Sequence, residues 1–211
     1  MAANTYATWN VWYTSRVDHV HRTTTALLEG LRDPAGAEWA ELDARFRPIL
    51  RAFTRRLGLS DADADDVTQE ALTRFLTGYR EGRYDRTRGR LSSWLISIAH
   101  HCALELRSRQ RHHRGESVLD HLHQTKALDS IWEEECRRVL LDKAMAELRS
   151  STRMDPRTLS AFESLAFDQR EPAEVARLTG LSVDSVYAAK SRCLAQLREI
   201  LGRLNQAYEA A

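Results

Sequence analysis

Residues 65–114 read DDVTQEALTRFLTGYREGRYDRTRGRLSSWLISIAHHCALELRSRQRHHR, and the spacing of apolar residues within them predicts two helices joined by an arginine-rich turn. In the first helix Val67, Ala71, Leu72, Phe75, Leu76 and Tyr79 recur at helical spacing, so one stripe can be buried. Asp66, Gln69, Glu70 and Thr73 lie three or four residues apart on the other side. That face is either a solvated surface or a landing site for a basic partner helix. The turn runs from Tyr84 to Arg90, and its Arg86, Arg88 and Arg90 alternate with small or polar residues, an arrangement that can clamp phosphates, while Gly89 is free to take φ > 0. The second helix carries Leu91, Trp94, Leu95, Ile98, Cys102 and Leu106 on one stripe and ends in Arg107, Arg109, Arg111, His112, His113 and Arg114. One or two cations suffice to complement a helix C-terminus. Four arginines and two histidines exceed that requirement and point to a phosphate-contacting patch.

Outward from this stretch the chain reads as helical throughout, with no alternating Val/Ile/Thr-rich runs of the kind that make strands. The expected fold class is all-α: two small helical domains joined by a flexible linker. A first helix is expected from about Thr25 to Leu31, then a turn at Asp33-Pro34-Ala35-Gly36. Trp39, Leu42, Phe46, Ile49, Leu50, Phe53 and Leu57 trace the next apolar stripe, which Pro48 is expected to kink or restart. Ser60 or Asp61 is the N-cap of the acidic helix. Residues 23–114 thus form one bundle, 115–129 a linker without sustained period, and 130–205 a second domain opening on a Ser130/Glu133 capping box. Asp155-Pro156 supplies an N-cap and an N1 proline to a further helix. Residues 1–22 stand apart, with Trp9, Trp12 and Tyr13 at i, i+3 and i+4 able to pack on the chain or on a partner.

The segment from Pro172 to Val186 has the spacing of a helix-turn-helix. Ala176 permits close helix packing, Gly180 supplies the turn's positive φ, Ser182 caps the second helix and Val186 fills the angle. The second helix then offers Ser182, Asp184, Ser185, Tyr187, Ala188, Lys190, Ser191 and Arg192 to a major groove, with Lys190 and Arg192 suited to phosphates or guanine edges. A solvated helix face is the alternative reading of the same residues.

Composition narrows the class. The 211 residues carry a formal net charge of +1, resolved into acids clustered from Asp61 to Glu70 and bases from Arg107 to Arg114, so different faces can bind protein and nucleic acid. No apolar run approaches the ~18–20 residues of a membrane span, and no secretory signal pattern is present, so cytoplasmic residence is expected. Three widely spaced cysteines, Cys102, Cys136 and Cys193, argue for buried thiols rather than disulfides. The histidines lack paired ligand spacing, so no metal or other cofactor is expected. Phosphate loops, nucleophile elbows and paired catalytic carboxylates are also missing, which points away from an enzyme.

With these residues in view, the chain resembles bacterial RNA polymerase sigma factors of the extracytoplasmic-function group of the sigma-70 family, over roughly residues 25–201. Asp65-Asp66-Val67-Thr68-Gln69-Glu70 resembles the family's acidic helix, which implies docking of Asp65, Asp66, Gln69, Glu70 and Thr73 on core RNA polymerase. Tyr84-Asp85 through Arg88-Gly89 to Trp94-Leu95 and Ile98-Ala99 resembles the turn and helix that recognise and open the minus-ten element of promoter DNA. By that resemblance Arg86, Arg88, Arg90, Trp94, His101, Arg107, Arg109, Arg111 and Arg114 face promoter DNA. His101 stands where the family usually has Asn, at the pocket for a flipped-out base, and presents different donor geometry. The C-terminal module implies contact with the minus-thirty-five element, and an anti-sigma factor or other regulator is a further implied partner. Two rival readings of the same residues are a helix-turn-helix regulator that acts without polymerase and a helical protein-interaction module.

Overall fold

The computed structural model describes residues 25–32, 38–85, 87–114, 125–151 and 154–209, with side chains described for 27–32, 38–85, 87–110, 127–151 and 154–206. Among these there are helices and connecting turns but no strand, so the fold is all-α. The helices are α1 (Thr25–Gly30), α2 (Glu38–Arg56), α3 (Asp61–Arg80), α4 (Leu91–Arg114), α5 (Thr125–Ser150), α6 (Pro156–Ala166), α7 (Pro172–Thr179) and α8 (Val183–Glu209). The chain divides into two compact units, and the division falls inside α5: one unit spans Val20–Val139, the other Leu140–Gln206.

In the first unit α2, α3 and α4 pack around Leu42, Phe46, Ile49, Leu50, Phe53, Val67, Ala71, Leu72, Phe75, Leu91, Leu95, Ala99 and Cys102, all buried. α2 continues through Pro48. A mid-helix proline costs ~3 kcal/mol, but Leu42 and Phe46 before it and Ile49, Leu50 and Phe53 after it are all anchored in the core, and their burial at about 1.5–3 kcal/mol each outweighs that cost. α2 ends in a left-handed Gly58 at φ 91°, with Gly58 N–H bonded to the Arg55 carbonyl at 2.8 Å and Leu59 N–H to the Thr54 carbonyl at 3.4 Å. This pairing satisfies carbonyls that the helix end leaves open. α3 then starts on Ser60, whose Oγ accepts from Asp63 N–H at 3.1 Å.

The start of α5 differs from the sequence expectation. It begins at Thr125, so five residues assigned to the linker are helical and Ser130 lies inside the helix rather than capping it. The physical reason is a stripe at i, i+4 and i+8, Leu128, Trp132 and Cys136, all buried. Trp132 meets Phe53 of α2 edge to face, with ring centroids 5.7 Å apart. Glu134, expected to complement a helix N-terminus, instead pairs with Arg56 of α2 at 3.0 Å, and Glu135 lies 3.7 Å from the same guanidinium.

In the second unit Ala161, Val175, Val186 and Ala189 form a small core with Leu165, Ala176 and Leu181 against it. α6 opens on Asp155, which accepts from Arg157 N–H at 2.8 Å, with Pro156 in the first turn. The three cysteines are free and buried. Burial pushes the thiols of Cys102 and Cys136 up, and that of Cys193 to about 11, so they behave as apolar filling rather than as nucleophiles. Among the described residues no helix is long and apolar enough to cross a membrane. The turn expected at residues 33–36 and the aromatic cluster expected near the N-terminus lie outside the described residues.

Candidate functional site

The acids of α3 fall into two strips. One strip faces α2, where Arg47, Arg51 and Arg55 repeat every four residues and therefore share a helix face. Arg51 donates to Asp65 at 2.6 Å and to Asp61 at 3.0 Å, and Arg55 Nε lies 3.2 Å from Asp61. Arg47 donates to Gln69 Oε1 at 2.7 Å while holding Asp43 with both ends of its guanidinium, at 2.8 and 2.6 Å. Asp65 and Gln69 are therefore already engaged within the chain.

The second strip, Asp66, Glu70 and Thr73, is exposed and turned away from that ladder. Glu70 accepts from Arg74 at 2.6 Å, and Arg74 also grips Glu105 of α4 through two bonds of 2.8 Å. That guanidinium holds the Glu105 carboxyl below its usual range. Thr73 donates to the Gln69 carbonyl at 2.9 Å. The Asp66 carboxylate alone in this set forms no hydrogen bond or ion pair among the described residues.

Beyond α3 the chain leaves through Gly82, at φ 74°, and reaches the arginine-rich turn. Asp85 Oδ1 accepts from both the amide and the hydroxyl of Thr87, at 2.8 and 2.7 Å, and Arg88 N–H bonds the Asp85 carbonyl at 3.1 Å. Those bonds hold the Asp85 carboxyl below its ordinary value and close the turn without a left-handed residue at Gly89. Arg88 and Arg90 are exposed and unpaired among the described residues; Arg86 lies outside them.

Trp94 is half-buried. It stacks on Tyr84 with centroids 5.4 Å apart and planes 15° from parallel, and lies 5.2 Å from Phe75. Gly78 makes room for it, because a Cβ there would sit 3.1 and 3.3 Å from Trp94 Cζ2 and Cη2. Gly78→Ala is expected to displace the indole, changing the near-UV circular dichroism. Overpacking costs about 1–3 kcal/mol, and replacing a mid-helix glycine returns about 1 kcal/mol, so the net loss in a denaturation curve is expected to be near 1 kcal/mol. An unchanged near-UV spectrum would show that Gly78 does not seat the ring.

From Trp94, His101 is two turns along the same face of α4, roughly 10 Å by helix rise, with the exposed small residues Ser93 and Ser97 between and beside them. His101 Nδ1 donates to the Ser97 carbonyl at 2.7 Å, which ties the exposed ring to its own helix and leaves Nε2 without a hydrogen bond among the described residues.

The basic end of α4 is less uniform than the sequence implies. Arg107, read there as a phosphate contact, is half-buried and donates to the Leu57 carbonyl at the end of α2, so it caps a neighbouring helix. Arg109 is exposed but lies 3.7 Å from Glu105. The side chains of Arg111 and Arg114 lie outside the described residues. Sequence reasoning also missed the ladder on α2, although arginines at 47, 51 and 55 were the visible signal for it.

In the second unit α7 and α8 meet through Gly180 at φ 69°. Ser182 Oγ accepts from Ser185 N–H at 3.1 Å and caps α8, and Val186 is fully buried beneath the turn. Asp184, Tyr187, Ala188, Lys190, Ser191 and Arg192 are exposed, while Ser185 is half-buried with its hydroxyl 2.8 Å from that of Ser182.

Comparison with known proteins gives the family. The family model described as sigma-70 region 2 matches residues 42–113, the span of α2, α3 and α4. The chain is 31% identical over 179 residues to the RNA polymerase sigma factor CarQ of Myxococcus xanthus, covering 84% of this chain and 97% of that protein. It is also similar, at 19% identity and a TM-score of 0.34, to the solved structure of CnrH in complex with the cytosolic domain of CnrY, covering 84% of this chain and 96% of that one. The chain therefore belongs to the sigma-70 family of RNA polymerase sigma factors, in its extracytoplasmic-function group.

Proposed function

We propose that this sigma factor docks on core RNA polymerase through the outer strip of α3, Asp66, Glu70 and Thr73, with Asp65 and Gln69 holding that strip in register against α2. The observation that supports this reading is the division of α3's acids into one strip tied to Arg47, Arg51 and Arg55 and another that stays exposed. A docking face needs charges that a partner can reach, and Asp66 is the most available of them.

In this reading the minus-ten element meets the first unit along the turn and α4. Arg88 and Arg90, joined by Arg86, hold phosphates, and an extruded base lies along the Trp94–His101 face. Trp94 keeps one side stacked on Tyr84, so it offers its remaining exposed surface rather than a whole free ring. Arg109, Arg111 and Arg114 extend the phosphate contacts, and Arg107 steadies α4 against α2. With Nδ1 held by the Ser97 carbonyl, the Nε2 of His101 is the ring nitrogen that meets a base edge. The minus-thirty-five element meets Ser182, Asp184, Ser185, Tyr187, Ala188, Lys190, Ser191 and Arg192 of α8. The chain acts by binding, in the cytoplasm where the polymerase works, and performs no bond chemistry of its own.

Reconstitution with core polymerase followed by promoter-specific run-off transcription tests the reading. Loss of copurification with core polymerase, with promoter binding retained, would favour the regulator that acts alone. Arg88→Ala and Arg90→Ala are each expected to weaken promoter binding across sequences and to lower the slope of log affinity against log salt by about one. A slope unchanged in the double variant would remove this turn from the phosphate contacts.

A further inference from the structure

Among the described residues three large apolar side chains are exposed, Leu178 at 56%, Val183 at 41% and Tyr187 at 55%, and all three belong to α7 and α8. Val183 and Tyr187 stand one turn apart on α8 and so share one exposed strip, the kind of paired apolar exposure that suits a contact surface. On α8, Val186, Ala189, Cys193 and Leu197 define the buried face. At about 100° per residue, the opposite face carries Tyr187, Asp184, Ser191 and Ala188, with Val183 one turn before Tyr187. Lys190 and Arg192 fall on the two flanks of that face, and neither makes an ion pair or hydrogen bond among the described residues.

This pattern of an exposed face with Asp184 and Ser191 at its centre, Tyr187 and Val183 along one edge and a cation on either side favours DNA over a protein partner, because the cations complement phosphates on either side of a groove. It also constrains what the centre can read. Bidentate recognition of guanine needs Arg or Lys and that of adenine needs Asn or Gln, and none of these stands on the central face. An apolar group in the major groove meets one apolar feature of the bases, the thymine 5-methyl group. Asp184 adds an acceptor of the kind that pairs with a cytosine amino group.

We propose that Tyr187, with Val183 beneath it, is a specificity-determining residue that packs against the 5-methyl group of a thymine in the minus-thirty-five element. The proposal rests on the reading of α8 as the helix that enters that element.

The test uses holoenzyme assembled from the full chain and core polymerase to select binders from promoter DNA randomised over the minus-thirty-five segment. Each thymine of the selected element is then replaced by deoxyuridine, which removes the methyl and nothing else. One position is expected to lose about four-fold in affinity, the factor for one methyl group withdrawn from contact. Tyr187→Ala is expected to be indifferent to that replacement, and Tyr187→Phe to recover the sensitivity. A methyl-insensitive wild type, or a Tyr187→Ala variant that remains sensitive, overturns the proposal. So does loss of core-polymerase affinity by Tyr187→Ala in the absence of DNA, which would make the patch a protein-docking surface. The Lys190→Ala/Arg192→Ala variant separates the two levels of inference. Unchanged affinity and salt dependence in it would refute the placement of α8 on DNA, whereas weakened binding with no sensitive thymine refutes the thymine contact alone.

Discussion

Asp66→Arg is expected to lower affinity for core RNA polymerase by about a hundred-fold or more while leaving the unfolding midpoint of the chain in place. Reversing a charge at an interface places like charges together, which costs several kcal/mol, and about 2.7 kcal/mol already corresponds to a hundred-fold in affinity. The stability half of the expectation follows from the exposed position of Asp66 and from the lack of any partner for its carboxylate among the described residues. Asp65→Arg provides the contrast. It places a cation against Arg51, so it is expected to disturb folding and docking together. The checks are titration of labelled sigma factor with core polymerase and a denaturation curve for each variant. Normal polymerase affinity in Asp66→Arg would remove the outer strip from the docking surface.

Trp132→Ala is expected to destabilise the first unit by about 3–5 kcal/mol, the range for deleting a large buried aromatic side chain, with the edge-to-face contact to Phe53 contributing about 0.5–1.5 kcal/mol of it. The effect is large for a residue that sequence reading assigned to the second domain. Tryptophan fluorescence can follow it. Three of the chain's five tryptophans, Trp39, Trp94 and Trp132, lie in Val20–Val139. In the variant, Trp39 and Trp94 still report on the first unit, so its unfolding midpoint can be followed by their fluorescence. A midpoint that does not move would show that the start of α5 lies on the first unit without stabilising it.

The all-α fold was legible because long amphipathic stripes carry their own period. α3 was anticipated, with its Ser60 cap one of two candidates beside Asp61, and the geometry at Gly180, Ser182 and Val186 matched the roles read from those residue types. The start of α5 was not legible. Its first turns are held by Phe53 and Arg56, residues more than seventy positions earlier in the chain, and local periodicity contains no record of such partners. Pro48 does not restart the helix: its local preference is strong, but the surrounding core outweighs it.

The candidate site divides in the same way. Residue type identified the acidic helix, the arginine turn and the family. It did not distinguish Arg107, committed to the Leu57 carbonyl, from Arg88 and Arg90, whose side chains make no ion pair or hydrogen bond among the described residues. Nor did it separate Asp65 from Asp66, neighbours in sequence whose side chains have different partners. Which member of a charged run is available depends on what packs beside it.

The arginine ladder on α2 has a consequence for the electric field around the first unit. Arg47, Arg51 and Arg55 stand against Asp43, Asp61 and Asp65, so three positive and three negative groups alternate within a few ångströms and their fields cancel beyond the ~8 Å screening length of physiological salt. A helix with the acidic content of α3 would otherwise repel a polyanion approaching Arg88 and Arg90 on the same small body. With the ladder closed, Asp63 and Asp66 are the acids of α3 left without a cationic partner among the described residues, Asp63 being held by the uncharged Ser60 and Gln110, so the negative potential of the helix is much reduced and a single bundle can present an acidic face to a protein and a basic one to DNA.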